Sequence, residues 1–241
     1  MKNTLVIIPT YNENDNIDLI VKDIFRLYPD IHVLVVDDNS PDGTAHRVTT
    51  MSQCFPKQLF LLSRLKKNGL GKAYLEGFVW GLERHYDYFF EMDADFSHPP
   101  QSIKTLYDAC VNDQVDLAVG SRYIQGINVV NWPLSRVVLS YLESWYVRLI
   151  TRMPIKDPTA GFVCYHRNVL ESIDLEAIQF VGYAFQIEMK YKAFNKKFKI
   201  KEIPIIFTDR IRGESKLTKS IISEAVFGVI QMRFQQLFGY L

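Results

Sequence analysis

Two carboxylates separated by a single residue are the side chains of this chain with the clearest capacity for chemistry. Asp93 and Asp95 follow an apolar run that ends at Met92. Residues two apart at the end of a strand face the same side. Buried like charges repel each other and are costly to desolvate, so such a pair needs a bound cation or contact with solvent at the opening of a site. A hard divalent cation, Mg²⁺ or Mn²⁺, shared with a phosphorylated ligand would meet that need.

Three other polar clusters also follow apolar runs, and their residue types suit a nucleotide. Tyr11 can stack on a base, while Asp38 or Glu13 can accept hydrogen bonds from its amine or from ribose hydroxyls. Arg210 and Lys216 can neutralise a diphosphate. Each cluster alone is equally typical of a turn or a solvated charge. The clusters are Pro9 to Glu13, Asp37 to Thr44 and Arg210 to Lys216.

The elements that must position these clusters alternate between strand and helix. This order predicts an α/β fold with a largely parallel central sheet flanked by helices. Ligands of such sheets collect at the carboxyl ends of the strands, where all the clusters would lie. No repeat or linker divides the chain, so we expect a single domain over residues 1–241. The predicted strands are 4–8, 32–36, 59–62, 86–92, 115–121 and 202–207, and the predicted helices include 14–27, 71–85 and 101–112.

Composition excludes several classes of protein. The formal net charge is +1, so no overall field favours nucleic acid. The three cysteines lack metal-ligand spacing, which predicts free thiols in a reducing, cytoplasmic compartment. The first residues lack the h-region and cleavage site typical of a signal peptide, so we expect none, and no stretch of uncharged apolar residues is long enough to span a bilayer.

Two segments, 129–152 and 218–241, are helix-compatible and rich in aromatic residues with scattered Arg or Lys. They are either amphipathic helices that pack on the sheet or an interfacial surface whose aromatic side chains enter lipid headgroups. In the second case they would face a membrane and a ligand drawn from it.

The Gly69-Leu70-Gly71-Lys72 segment resembles a phosphate-binding loop but lacks its essential residues. Lys66 stands where the first glycine belongs, and Ala73 replaces the hydroxyl residue that would contact magnesium. We interpret the glycines as the start of a closely packed helix.

Taken together, the motifs resemble those of the polyprenol-phosphate (dolichol-phosphate) mannosyltransferases, which are family 2 glycosyltransferases with the GT-A fold. The resemblance covers roughly residues 4 to 220. The long Asp-Asp-Asn-Ser-Pro-Asp-Gly-Thr string and the Gly-Glu-Ser-Lys segment carry most of its specificity. The matching segments are Ile8 to Glu13, Val36 to Thr44, Met92 to Asp95, Gly120 to Tyr123 and Gly213 to Lys216.

The resemblance implies a role for each matching residue. Asp95, and more weakly Ser97, fall at the divalent-metal positions, and Arg122 and Arg136 match basic residues near the acceptor phosphate. Gln186 or Glu188 would border the sugar. The nucleotide-sugar positions are Pro9, Tyr11, Glu13, Val36, Asp38, Asp93, Ala94, Arg210 and Lys216.

The activity implied is inverting transfer of a hexose, mannose from GDP-mannose first and glucose from UDP-glucose second, to a polyprenyl or dolichyl monophosphate. That acceptor is largely dianionic at neutral pH and needs no general base. The catalytic set would be Asp95, Arg122, Arg136 and Lys216. A chain of this length would dock peripherally on the cytoplasmic face of a membrane or use a membrane-anchoring partner subunit. The rival from another class is a non-catalytic nucleotide-binding subunit.

Two departures from the family pattern affect these expectations. Ser97 stands where some members have Gln, and a hydroxyl is a weaker metal ligand than an amide oxygen. Tyr141-Leu142-Glu143 replaces a small turn beside the expected acceptor groove.

Overall fold

A seven-stranded sheet forms the centre of the computed structural model, which describes residues 1–210 and 219–238, the last segment with side chains from 226 onward. The strands are β1 (Thr4–Thr10), β2 (His32–Asp37), β3 (Leu59–Ser63), β4 (Tyr88–Glu91), β5 (Leu117–Ser121), β6 (Val129–Val130), β7 (Val163–His166), β8 (Ile200–Pro204) and β9 (Phe207–Thr208). The helices are α1 (Ile17–Leu27), α2 (Thr44–Ser52), α3 (Leu70–Leu82), α4 (Ile103–Asn112), α5 (Leu134–Thr151), α6 (Arg167–Ser172), α7 (Tyr183–Asn195) and α8 (Lys219–Leu237), with a 3₁₀ turn at Pro100–Ser102.

The order of the main sheet is β3-β2-β1-β4-β7-β5-β8. All neighbouring strands are parallel except β7, which runs antiparallel between β4 and β5. The prediction of a largely parallel sheet flanked by helices is therefore confirmed. The sequence reading missed β7.

Helices cover both faces of the sheet, and this explains the nearly continuous apolar strands. Val6 and Ile8 point to the core shared with α1, α2 and α4, whereas Leu5 and Ile7 point to the core shared with α3, α6 and α7. The alternation of side chains along a strand divides β1 between the two cores.

Two predicted boundaries are wrong. The strand expected over 202–207 is two strands, because β8 ends at Pro204 and β9 leaves the main sheet to pair with β6. The helix expected from residue 129 begins at Leu134, since residues 129–130 form β6. The predicted helix over 218–241 is observed as 219–237, and its last residues lie outside the described part.

The helix start predicted at Gly69 to Lys72 is confirmed. Gly69 has a φ of +95°, and α3 begins at the next residue. A Cβ at Gly71 would lie 2.7 Å from the Phe185 ring, so glycine permits the close approach of α3 and α7.

Helices α5, α7 and α8 share a third apolar cluster, which includes Val147, Ile187 and Val229. Within the described residues, no helix is long and apolar enough to cross a membrane. The three cysteines are free, as predicted.

Candidate active site

A cavity of about 880 Å³ lies at the carboxyl ends of the strands. Residues that directly follow β1, β2, β4 and β5 line it, as parallel-sheet geometry requires. The structure thus brings together most of the site residues expected from the sequence. Those that line the cavity are Pro9, Tyr11, Glu13, Asp38, Asp93, Ala94, Asp95, Ser97, Arg122, Arg136, Gln186 and Arg210.

Three expected residues do not appear among these. The Val36 side chain is wholly buried in the core below the sheet edge. Lys216 lies outside the described residues. Of the pair expected near the sugar, Gln186 lines the cavity. Glu188 does not, because its carboxylate accepts hydrogen bonds from the main chain at 179–180.

The two carboxylates at the end of β4 share one guanidinium group. Asp95 accepts a hydrogen bond from the Ser97 main chain through Oδ1 (3.0 Å), and its Oδ2 lies 3.0 Å from Arg210 Nη2. Burial and the neighbouring charge of Asp95 raise the pKa of Asp93 to about 7. The site thus holds more acidic charge than Arg210 neutralises.

The residues present fit a divalent cation that is shared with a phosphorylated ligand. Ser97 Oγ is buried beside the Asp95 carboxylate and has no hydrogen-bond partner among the described residues. Among the described residues, no group of three His, Cys, Asp or Glu side chains could hold a metal by itself. Mg²⁺ is commonly held by one or two carboxylates together with substrate phosphates and water, which is the arrangement these oxygens allow.

The end of the cavity beside β1 and β2 carries the aromatic ring and a buried acid. Lys67 Nζ lies 4.2 Å from the centre of the Tyr11 ring. Asp38 is paired with Arg64, which also contacts Glu76 at 3.0 Å. Burial nevertheless raises the pKa of Asp38. Sequence reasoning missed Arg64 and Lys67, although Arg64 directly follows β3 and the strand-end argument could have found it.

At the other end, both arginines expected to hold a phosphate have carboxylate partners. Arg122 pairs with Asp157 and donates to Thr159 Oγ1 at 2.9 Å. Burial acts to lower the pKa of Arg122, but the Asp157 carboxylate outweighs it and the pKa is raised. Arg136 lies 2.8 Å from Asp209.

An aromatic ring connects these two arginines. The guanidinium of Arg136 lies 4.2 Å from the centre of the Trp132 ring, and that of Arg122 lies 5.5 Å from it. Sequence reasoning missed Asp157, Asp209 and this use of Trp132.

Helices α5 and α8 form the outer wall at the arginine end, through Leu139, Leu142 and Val226 among others. Both helices also carry large apolar side chains that are exposed. These are Leu134, Val138, Leu139, Tyr141, Leu142, Trp145 and Leu149 on α5, and Val226, Phe227, Ile230, Phe234 and Leu237 on α8, with Phe238 directly after it.

Solved structures with the same architecture define the fold class. The chain aligns with glucosyl-3-phosphoglycerate synthase from Mycobacterium tuberculosis in complex with Mn²⁺, UDP-glucose and phosphoglyceric acid, at a TM-score of 0.71 and 16% identity, over 97% of this chain and 80% of that one. A second complex of that enzyme, with Mn²⁺, UDP and glucosyl-3-phosphoglycerate, aligns at a TM-score of 0.70 over 100% of this chain and 81% of that one, also at 16% identity. The protein has the GT-A fold.

Sequence comparison gives the family. Residues 5–174 match the family model described as glycosyl transferase family 2. The chain is 48% identical to a polyprenol monophosphomannose synthase of Mycolicibacterium smegmatis, over 95% of this chain and 86% of that protein. It is 43% identical to an undecaprenyl-phosphate mannosyltransferase of Micrococcus luteus, over 93% of this chain and 91% of that protein. A dolichol-phosphate mannosyltransferase of Pyrococcus furiosus is 37% identical, with 91% of this chain covering 60% of that protein. The chain belongs to glycosyltransferase family 2.

Proposed function

We propose that this protein transfers mannose from GDP-mannose to a polyprenyl monophosphate with inversion, giving a β-linked lipid phosphosugar. Three relatives at 37–48% identity are named as mannosyltransferases or mannose synthases of polyprenol, undecaprenol or dolichol phosphate. These names support the sugar and the class of acceptor. The nucleotide and the stereochemistry rest on the resemblance of the motifs.

One observation carries the proposal. A single cavity has buried carboxylates and Tyr11 at one end and two arginines at the other, beneath helices with exposed apolar side chains. A nucleoside diphosphate suits the first end, and a lipid phosphate suits the second. The transferred sugar would lie between them.

Charge determines what the residues have to do. An acceptor phosphate oxygen attacks C1 of the sugar, and the bond between C1 and the diphosphate oxygen breaks, so two anionic groups must be brought together. We assign Arg122 and Arg136 to the attacking phosphate, and Arg210 and Lys216 to the donor phosphates. A divalent cation held by Asp95 and Ser97 would supply positive charge to the leaving diphosphate. Attack opposite the leaving group inverts C1.

The remaining predicted contacts belong to the nucleotide. Tyr11 would stack on the base, and Asp38 or Glu13 would accept hydrogen bonds from base or ribose. Pro9, Asp93 and Ala94 complete this part of the site in the proposal, whereas Val36 supports it from the core, because its side chain is buried away from the cavity.

We also propose that the exposed apolar side chains of α5 and α8 dock on the cytoplasmic face of a membrane. These side chains adjoin the arginine end of the cavity, so docking would bring the lipid phosphate to its binding residues. A membrane-anchoring subunit that covers the same side chains would serve the same purpose.

A donor panel tests the transfer directly. GDP-mannose, UDP-glucose and other nucleotide sugars are each incubated with a short-chain polyprenyl phosphate and Mg²⁺ or Mn²⁺, and lipid-linked sugar is measured. Selective transfer from GDP-mannose is expected. Transfer from UDP-glucose would establish the glucosyltransferase alternative, and tight nucleotide binding without any transfer would establish a non-catalytic subunit.

A further inference from the structure

A second cavity, of about 100 Å³, lies beside α5 and has no lining residue in common with the active-site cavity among the described residues. At about 30 Å³ for each molecule of liquid water, its volume is that of roughly three waters. A phosphate group fits such a space, whereas a nucleoside or a hexose does not. We refer to it as the outer cavity. It is lined by Tyr123, Tyr141, Ser144, Trp145, Arg148 and Lys156.

The outer cavity carries positive charge. Arg148 and Lys156 line it, and no carboxylate of the described residues does. The Lys156 ammonium donates to the Ile124 carbonyl oxygen at 3.3 Å, and an ammonium has three N–H groups, so donors remain for a ligand. The nearby Glu202 carboxylate accepts from the main-chain N–H groups of Lys156 at 2.8 Å and Asp157 at 2.9 Å. An anion is therefore the ligand that the charges of this cavity favour.

Two polar atoms of the residues that line the outer cavity lack partners. Ser144 is 2% exposed, and its Oγ is buried without a hydrogen-bond partner among the described residues. The same is true of Arg148 Nε, one helical turn further along α5. Thr151 shows the ordinary arrangement on this helix, because its hydroxyl donates to the Val147 carbonyl oxygen at 2.7 Å. A buried donor without a partner is costly, so the unpaired Ser144 hydroxyl indicates that a ligand or water accepts from it.

Aromatic side chains connect the outer cavity to the face of α5 that we propose docks on a membrane. Tyr141 and Trp145 line the cavity and are also 50% and 56% exposed. Tyr123 is buried and packs edge-on against Tyr141, with ring centroids 5.7 Å apart. Exposed rings that carry one polar group collect at the boundary between lipid and water. The membrane surface is therefore the source of an anion that enters this cavity.

We propose that the outer cavity binds the phosphodiester of an anionic glycerophospholipid of the membrane. The inference rests on the proposed membrane docking and deepens it. Arg148 and Lys156 would meet the phosphate charge, and the Ser144 hydroxyl would donate to a phosphate oxygen. The acyl chains would pass the exposed rings into the bilayer. A headgroup held there fixes α5 against the membrane, and with it the apolar wall that α5 gives to the arginine end of the active site.

Binding of a soluble lipid tests the outer cavity without a bilayer. Dihexanoyl phosphatidylglycerol, below the concentration at which it forms micelles, is titrated into the protein in a calorimeter. We expect Arg148→Gln to weaken binding by about tenfold or more, because it removes a charge-assisted contact, and Ser144→Ala to weaken it by about 3- to 10-fold. Arg26→Gln removes the same charge from the exposed face of α1 and should match the wild type.

The arginine end of the active site also suits a phosphate, so a further comparison separates the two cavities. Arg148→Gln is made again in an Arg136→Gln protein, and it should weaken the lipid by the same factor there, because the two cavities are independent. If Arg136→Gln weakens the lipid and Arg148→Gln does not, the lipid phosphate lies in the active site and the proposal is overturned. Inorganic phosphate that binds as tightly as the lipid would overturn the assignment to a membrane lipid.

The outcomes distinguish the headgroup site from the proposed reaction. Selective weakening by Arg148→Gln and Ser144→Ala supports the site even if no polyprenyl phosphate is mannosylated, in which case only the reaction fails. Equal binding by the wild type, both variants and Arg26→Gln overturns the site even if mannose transfer is normal. The absence of binding by the wild type overturns it as well.

Discussion

Arg122 and Asp157 form a two-point ion pair in the wall of the cavity. Arg122 Nε lies 2.8 Å from Asp157 Oδ2, Nη2 lies 2.6 Å from Oδ1, and the Arg122 main-chain N–H donates to Oδ2 at 2.8 Å. The Asp157 side chain is fully buried. A planar guanidinium held at two points has a fixed orientation, so Asp157 determines where Arg122 can meet a phosphate.

We predict that Asp157→Ala lowers the free energy of unfolding by about 3 kcal/mol or more, because it leaves a buried guanidinium without its partner. Asp113→Ala is the matched control, since Asp113 pairs with Lys201 on the surface. Such an exposed pair contributes at most about 1 kcal/mol. Urea denaturation of both variants measures the difference. If both lose the same free energy of unfolding, the buried pair stabilises the fold no more than the exposed pair does.

Asp95→Ala is predicted to reduce mannose transfer on the order of 1,000-fold while the fold is preserved, because a cation would lose its carboxylate ligand. Thermal unfolding should change little, since the substitution also removes repulsion with Asp93. EDTA should abolish transfer by the wild type, and Mg²⁺ or Mn²⁺ should restore it. Asp108→Ala, at an exposed pair with Lys104, is the control. Near-normal turnover by Asp95→Ala would contradict the metal site.

The sequence was sufficient for those parts of the site that follow strand ends. Tyr11, Asp38, Asp93 and Arg122 come within two residues of a strand end, and the carboxyl ends of β1, β2, β4 and β5 meet at the cavity. Apolar runs locate such strands well because both faces of the sheet are covered. Cavity residues of this kind could therefore be named before the structure was known.

The partners of those residues could not be predicted in the same way. Asp157, Asp209 and Arg64 are each far along the chain from the residue they pair with, and nothing local in the sequence marks a pair that only tertiary packing creates. Strand β7 was missed for a similar reason. It is only four residues long. It also runs antiparallel to β4 and β5, whereas the alternation of strands and helices along the chain predicts parallel strands joined by crossover helices.

Exposed aromatic side chains on α5 and α8 provide a test of membrane docking. Trp145 and Phe234 are both more than half exposed. We predict that replacing both with Ala reduces co-sedimentation with vesicles containing anionic lipid by about tenfold, because two large apolar side chains no longer enter the interface. Transfer to a short, water-soluble polyprenyl phosphate should be unchanged.

The control for this prediction is Leu19→Ala, which removes an exposed apolar side chain from α1. It should leave vesicle binding intact. If the double variant binds vesicles as well as the Leu19→Ala protein does, then α5 and α8 do not form the membrane-docking surface. If the wild type binds vesicles only when a second protein is added, an anchoring subunit is indicated.

Glu91 predicts a pH dependence of stability that can be assigned to one side chain. It is fully buried at the end of β4, beside the Gln186 amide and the Tyr165 hydroxyl. Burial raises its pKa from 4.5 to about 8, against the opposing charge of Lys190. Between about pH 4.5 and about pH 8, the folded protein therefore holds a proton that the unfolded chain has lost. The stability contributed by this group is present at low pH and decreases as the pH rises through that window.

We predict that Glu91→Gln flattens the dependence of the free energy of unfolding on pH between about 5.5 and 7.5, by up to about 1.4 kcal/mol per pH unit. Some slope should remain, because the pKa of Asp93 is raised in the same direction. Glu83→Gln, at an exposed position, should leave the slope unchanged. Urea denaturation at several pH values measures all three proteins. If the curves of Glu91→Gln and the wild type run parallel, Glu91 is ionised in the folded protein and its charge is balanced by Lys190, because only a protonated Glu91 can give the wild type the additional slope.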